Sequence, residues 1–476
     1  MNKIFYVLVI LSALVSCKEK SPVLIEQEEV GGSVTLWTTA GNQTKLLAQD
    51  TSLKLTKKQQ SNLGITITLD QSETLQEMDG FGAALTESSA YLMYTKLNAT
   101  QRSDLLKELF GREAGIGISY LRITMGASDF SLEDFTYNDM PNGKTDSELE
   151  HFSIEKDKPY LIPVLKEILA ISPHIKIMAS PWSAPAWMKT NGKLAGGKLK
   201  PEYYVVYSNY FLKYLRAYEA EGIKVDAISI QNEPLHEAAY PSMRMEASEQ
   251  ANFIKNHLGP LFGKEKINTK ILIYDHNWDR TDYPLALLND PEVKKYISGT
   301  AFHAYAGDVT AMNTVYEAFK DKGIYFTEIS GGEWATNFAD NMGWNMKNIF
   351  IGAPKNWSKN ALLWNLALDQ NHGPKNGGCQ DCRGVITISD GGFVRRNVEY
   401  YSIAHLSKFV MPGARRIKSS FTDAVEQVAF KNPDGSLVLV VSNNASNIQR
   451  INIVFGDKQM TYNQEARSTI TYVFSE

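Results

Sequence analysis

Between Met78 and Leu366 short apolar runs alternate with longer amphipathic stretches, and this alternation restricts the chain more than any other feature. Eight runs have strand length: Met78 to Ala84, Ile118 to Met125, Ile175 to Ser180, Ala227 to Gln231, Ile271 to Asp275, Gly299 to Tyr305, Ile324 to Ile329, and Leu362 to Leu366. Runs that are apolar throughout, rather than at every second residue, belong to strands buried on both faces, as parallel strands under helices are. The intervening segments carry helical periodicity. In Pro201 to Glu221 the large residues Tyr204, Tyr207, Tyr210, Phe211, Leu215 and Tyr218 recur on one face. Eight such repeats predict an α/β fold of the (β/α)₈ barrel type. A doubly wound sheet is the alternative, but its G-x-G-x-x-G fingerprint is absent, since Ala83-Ala84-Leu85 follows Gly80-Phe81-Gly82.

In a barrel the active site is built at the C-terminal ends of the strands, so polar residues there carry the information. Glu233 ends the fourth run and Glu328 the seventh. Burying a carboxylate strips its hydration, so two of them at strand tips call for a function. Strands four and seven lie on opposing arcs of an eight-strand ring, and the two side chains can converge across its mouth. Paired carboxylates are the equipment for hydrolysing a glycosidic bond. Glu233 is the candidate general acid/base, with Asn232 placed to hydrogen-bond a sugar 2-hydroxyl. Glu328 is the candidate nucleophile, with Arg122, His303 and Tyr305 as donors that keep it ionised. Glu333 follows Gly331-Gly332 in a loop and is set aside in favour of Glu328. Asp129 is expected to grip sugar hydroxyls, and Trp182 and Trp364 to stack on the ring. No H-E-x-x-H pattern or carboxylate–His pairing occurs, so neither a catalytic metal nor a cofactor is expected. The G-x-S-x-G elbow of serine hydrolases is absent as well.

Both chain ends read differently from the centre. Ser33 to Thr38 and Gly64 to Leu69 alternate as strands do, and so do Val425 to Phe430, Leu437 to Val441 and Ile451 to Phe455. They are expected to pair into one β-sandwich beside the barrel. The first sixteen residues read as an export signal: Lys3 supplies charge, an apolar run extends from Ile4 to Ser16, and Leu14-Val15-Ser16-Cys17 resembles a bacterial lipobox. Cys17 is then the lipidated residue, and the expected location is the outer membrane or cell surface of a Gram-negative bacterium. The lipid is the only membrane contact expected. Cys379 and Cys382 are the other two cysteines, and a local disulfide is expected of them in an exported protein. A net charge of −4 gives no reason to expect nucleic acid as a partner. The expected organisation is a signal over 1–16, a tether over 17–30, sandwich strands over 31–70, the barrel over 71–410 and the rest of the sandwich over 411–476.

Several stretches together resemble glycoside hydrolase family 30, which includes glucosylceramidases and β-1,6-glucanases. They are Gly80-Phe81-Gly82-Ala83-Ala84-Leu85-Thr86-Glu87, Tyr120-Leu121-Arg122-Ile123 with Ser128-Asp129-Phe130-Ser131, Ala179 to Lys189, Asn232-Glu233-Pro234, Thr327-Glu328 and Trp364 to Leu368. The resemblance implies a barrel with an appended sandwich, an oligo- or polysaccharide substrate, and a retaining mechanism with carboxyls roughly 5–5.5 Å apart. The stretch from Asn371 to Arg383 is similar to the bacterial β-1,6-glucanase branch. A glucosylceramidase-like or simple β-glucosidase activity is the alternative, and an inactive surface glycan-binding lipoprotein is the alternative of another class.

Overall fold

In the computed structural model, which describes residues 28–50, 52–59 and 64–475, the eight central runs form one parallel sheet. Its strands are Gly80–Ala84, Tyr120–Met125, Lys176–Pro181, Ala227–Ser229, Lys270–Asn277, Gly299–His303, Gly323–Glu328 and Asn360–Leu363, here numbered one to eight. They pair in the order seven-six-five-four-three-two-one-eight. A parallel bridge between Ile324 and Ser358 brings strand eight to strand seven and closes the ring. The doubly wound alternative is thereby excluded.

Both faces of these strands are apolar because each packs against something different. Tyr120, Met178, Ala227, Leu272, Ala301, Tyr325 and Leu362 form one cluster inside the ring, one from each of strands two to eight. Their neighbours Leu121, Ile177, Ile228, Ile271, Phe302, Ile324 and Leu363 face outward onto the helices. The predicted helix over 201–221 is observed as Tyr204–Ala220, after a tight turn at Pro201–Tyr203. Below the inner cluster the buried Asp79 accepts from Lys176 at 2.7 Å and Lys270 at 3.3 Å. This ion cluster closes the N-terminal end and leaves the opposite end open for chemistry.

The two chain ends pair as expected. Glu29–Ala40 runs antiparallel to Ser468–Ser475, and Ile65–Glu77 runs parallel to Gln449–Phe455 and antiparallel to Arg415–Ser419. Their own core includes Val34, Leu36, Ile67, Leu439, Ile453 and Tyr472. The boundary expected at residue 70 needs correcting. Ile65–Glu77 is one continuous strand, so the sandwich contribution runs to Glu77. Its second half, Asp70 to Glu77, is almost wholly polar because it lies at the surface, and it therefore shows no apolar alternation. The strand at the N-terminal side likewise starts at Glu29, two residues inside the expected tether. Cys17 and the segment taken as an export signal lie outside the described residues. Among the described residues no helix is long and apolar enough to cross a membrane.

Candidate active site

The C-terminal ends of strands two to seven converge on one buried side chain, Asp275. Its Oδ2 accepts from Arg122 Nη2 at 2.8 Å, Ser180 Oγ at 3.0 Å and Ser229 Oγ at 2.6 Å. Its Oδ1 accepts from Thr327 Oγ1 at 2.7 Å and faces His303 Nε2 at 3.1 Å. Those donors come from strands two, three, four, six and seven, so one carboxylate on strand five gathers the rim. Burial opposes its charge, but Arg122 and His303 outweigh burial and hold the Asp275 carboxyl far below the usual carboxylate range. The backbone bends to place it: Tyr274 and Asp275 have φ of 73° and 60°, and the pairing with strand six shifts register there. Glu233 and Asn365, at the ends of strands four and eight, also have positive φ, 45° and 51°. Left-handed backbone at non-glycine residues costs energy and concentrates where a site needs it.

From Asp275 two relays run to the paired glutamates. Arg122, fully buried, donates through Nη2 to Asn232 Oδ1 at 2.6 Å and through Nη1 to Glu328 Oε2. His303, also fully buried, has Nδ1 3.0 Å from Glu233 Oε1 and 3.9 Å from Glu328 Oε1. Burial would lower its pKa, but the Glu328 charge and the hydrogen bonds to Asp275 and Glu233 prevail and raise it to about 9. At neutral pH the ring is therefore an imidazolium that donates from both nitrogens. Tyr305 completes the shell by donating its hydroxyl to Glu328 Oε1 at 2.9 Å.

Glu233 and Glu328 thus face each other, with one oxygen of each and a His303 nitrogen all within 4.8 Å of one another. Burial, and then repulsion from Glu233, push the Glu328 carboxyl up against the pull of His303 and Arg122. Burial also acts on Glu233, but its hydrogen bond and charge interaction with His303 hold it below its ordinary value. One carboxyl is thus raised and the other lowered, and the two titrate as a pair. Glu233, His303 and Glu328 also have the spacing of a metal-ligand set. Glu328 is already committed to Arg122 and Tyr305 and His303 to Asp275 and Glu233, and a dication would sit beside the buried Arg122 guanidinium.

The structure brings five of the residues expected from the sequence to one cleft and leaves Arg122, Trp182, Asn232 and His303 out of its lining. Asp129, Glu233, Tyr305, Glu328 and Trp364 line a cleft of about 400 Å³, with His236, Tyr240, His276, Asn277 and Trp334. Asp129 is pushed well up by burial and by the charges of Glu328 and Glu233. Trp364 stacks on Trp182 with ring centres 5.1 Å apart, and Arg122 Cζ lies 4.9 Å from the Trp182 ring and 5.5 Å from the Trp364 ring. Trp182 and Trp364 are each only 2% exposed, and of the two only Trp364 lines the cleft, while Trp182 packs on the Arg122 guanidinium. Glu333 lies 3.5 Å from Arg383, outside the paired carboxylates.

Two loops frame the cleft. Cys379 and Cys382 are joined by a disulfide with Cα atoms 5.5 Å apart, and both line the cleft wall. Gly332 pairs with Cys382, tying this loop to the one that follows Glu328. Behind strand three, the buried Lys189 donates to Ser183 Oγ at 2.7 Å and to the carbonyls of Leu194 at 2.5 Å and Ser242 at 2.7 Å. Burial lowers it to about 7.

Asp275, Ser180, Ser229 and Thr327 were not among the predicted site residues. The signal for Asp275 was present: it ends the apolar run from Ile271 just as Glu233 and Glu328 end theirs.

The sequence profile described as the glycosyl hydrolase family 30 TIM-barrel domain matches residues 78–410, and that of the family 30 beta sandwich domain matches 413–472. Endo-1,6-beta-D-glucanase neg1 of Aspergillus fumigatus is 32% identical over 447 residues, which cover 87% of this chain and 88% of that protein. The lysosomal acid glucosylceramidase of Mus musculus is 30% identical over 420 residues, covering 80% and 78%. The solved structure of the endo-beta1,6-glucanase BT3312 superposes with a TM-score of 0.87 at 35% identity and covers 93% of this chain and 99% of that one. With both domains matched and the paired carboxylates at the barrel mouth, the chain belongs to glycosyl hydrolase family 30.

Proposed function

We propose that this glycosidase is a retaining hydrolase of β-1,6-glucan, with Glu328 as nucleophile and Glu233 as acid/base. The observation that carries the retaining mechanism is that one oxygen of Glu233 and one of Glu328 lie within 4.8 Å of each other. Retaining enzymes hold the pair at roughly 5–5.5 Å, whereas inverting enzymes leave room for a water at roughly 6.5–9.5 Å. Glu328 takes the nucleophile's part because the fixed guanidinium of Arg122 touches its Oε2 and Tyr305 its Oε1. Glu233 takes the proton's part, and substrate must bring the proton to it, because in the free site His303 holds the Glu233 carboxyl low while burial holds that of Glu328 high.

In the first step a Glu328 oxygen bonds to the anomeric carbon as the bond to the leaving oxygen breaks, and Glu233 gives that oxygen its proton. In the second step Glu233 takes a proton from water, the water oxygen bonds to the anomeric carbon, and Glu328 is released as carboxylate. Loss of the Glu328 charge in the intermediate removes the repulsion on Glu233 and favours its role as base. Asn232, fixed by Arg122, faces the sugar 2-hydroxyl, and Asp129 and Trp364 hold the ring.

The β-1,6 linkage is supported by the glucanases at 32% and 35% identity. The test is digestion of linear β-1,6-glucan by wild type and by Glu328→Gln, with the products sized. Wild type should release oligosaccharides, and the variant should lose about 10⁴-fold or more in rate. Cleavage of glucosylceramide but not of the glucan would replace the linkage assignment; full activity in Glu328→Gln would remove the nucleophile assignment. The reading also includes export and lipidation at Cys17, which labelling with a radioactive fatty acid, lost in Cys17→Ser, would support.

A further inference from the structure

Beside the catalytic cleft lies a second groove of about 700 Å³, larger than the cleft itself. Tyr305, Ser330 and Trp334 line both, so the two are continuous. The groove walls hold three exposed aromatic residues: Trp334 is 57% exposed, Trp344 43% and Tyr305 45%. Three large aromatic side chains grouped around one groove and left partly in water mark a binding surface. The remaining walls are mostly small or amide side chains, Asn337 and Asn341 among them, with one carboxylate, Asp340, whose charge is matched by Arg467. Flat aromatic faces beside amides and one carboxylate paired with Arg467 fit a ligand that has C–H faces and hydroxyls, which is the surface of a sugar.

We propose that this groove binds further glucosyl units of the glucan chain, beyond the unit held at Glu233 and Glu328, with Trp344 as its outer platform. The inference rests on the reading of the chain as a β-glucan hydrolase and adds where the polymer runs. Trp344 sits on the helix Phe338–Asn345, which the sandwich domain holds in place. Arg467 donates to Asp340 Oδ1 at 2.5 Å, and Asn444 lies against Gly343 so closely that a Cβ there would fall 2.7 Å from its Oδ1. Asn337 caps the same helix by accepting from the Asp340 N–H at 3.0 Å. The sandwich built from both chain ends thereby fixes one wall of the substrate path.

The test is calorimetric titration of the Glu328→Gln variant with β-1,6-linked glucose oligomers of two and six units. The hexamer should bind at least about tenfold more tightly than the dimer, and adding Trp344→Ala should remove most of that gain. Trp344→Phe, which keeps a ring, should retain part of it, and thermal unfolding reports whether each variant is folded. A full length-dependent gain in folded Trp344→Ala overturns the proposal, as does the absence of any gain in the parent. If neither β-1,6 oligomer binds, the linkage assignment fails instead. The same dimer and hexamer comparison with β-1,3- and β-1,4-linked series then decides the groove: a gain that Trp344→Ala removes supports it, and no gain in any series overturns it.

Discussion

At the scale of single residues, the site is a buried charge balance centred on Asp275. Two cations, Arg122 and the His303 imidazolium, are each shared between Asp275 and one of the facing glutamates. Removing one member of such a set leaves the others buried and unpaired, at a cost of about 3–5 kcal/mol. Asp275→Asn should therefore lower unfolding free energy by about 3 kcal/mol and reduce kcat by about 10²-fold or more, since both relays lose their anchor. Denaturant titration and steady-state kinetics check the two effects. His303 supplies a pH signature. Its folded pKa of about 9 exceeds that of an unfolded histidine, about 6.5. The folded state thus binds the extra proton, and the stability it contributes is complete below about 6.5 and is lost as pH rises to about 9. The melting temperature of wild type should fall over that interval more steeply than that of His303→Gln. Equal slopes would show that the imidazole is neutral.

At the scale of elements, the strands were legible because their physics is local. A run buried on both faces is apolar throughout, and each of strands two to eight contributes inner and outer residues as its register requires. The strand-end carboxylates were legible for the same reason. What was not legible depends on distant partners. Nothing in Arg122 announces that it will bond at once to Asn232, Asp275 and Glu328, 110, 153 and 206 positions away. Trp182 and Trp364 share a strand-end setting in sequence, and only the folded cleft shows that Trp364 lines it and Trp182 does not. The polar second half of Ile65–Glu77 was missed because a strand face in water carries no apolar signal. The loop after strand eight yields a prediction at this scale. A Cβ on Gly378 would fall 2.8 Å from the Asp129 carbonyl oxygen and 2.9 Å from its Cβ. Gly378→Ala must displace either the disulfide loop or Asp129. It should lower kcat/KM by about tenfold while changing stability by no more than about 1–2 kcal/mol, because the strain falls on the cleft wall. Kinetics beside thermal unfolding separates the two.

At the scale of the whole molecule, the sandwich cannot form until both chain ends meet, and the barrel lies between them in sequence. The helix Val398–Ser407 joins the two cores. Its buried His405 has Nδ1 2.8 Å from Thr471 Oγ1 and Nε2 2.9 Å from Thr39 Oγ1, which come from opposite ends of the chain. Burial lowers this histidine to about 3, so it is neutral there. Such interlocking predicts one cooperative transition in calorimetry, with the calorimetric and van't Hoff enthalpies equal, rather than a separate melting of the sandwich. It also explains how a domain remote from the carboxylates bears on the substrate path, through the helix that carries Trp344.

The account turns on Glu328 being the nucleophile of a double displacement. The direct measurement is mass spectrometry of the enzyme treated with a slow 2-deoxy-2-fluoro-β-glucosyl substrate, followed by mapping of the labelled peptide. The account predicts one covalent sugar on Glu328, formed faster than it is hydrolysed. A label on any other residue, or turnover that first releases the α-anomer without a covalent adduct, would contradict it.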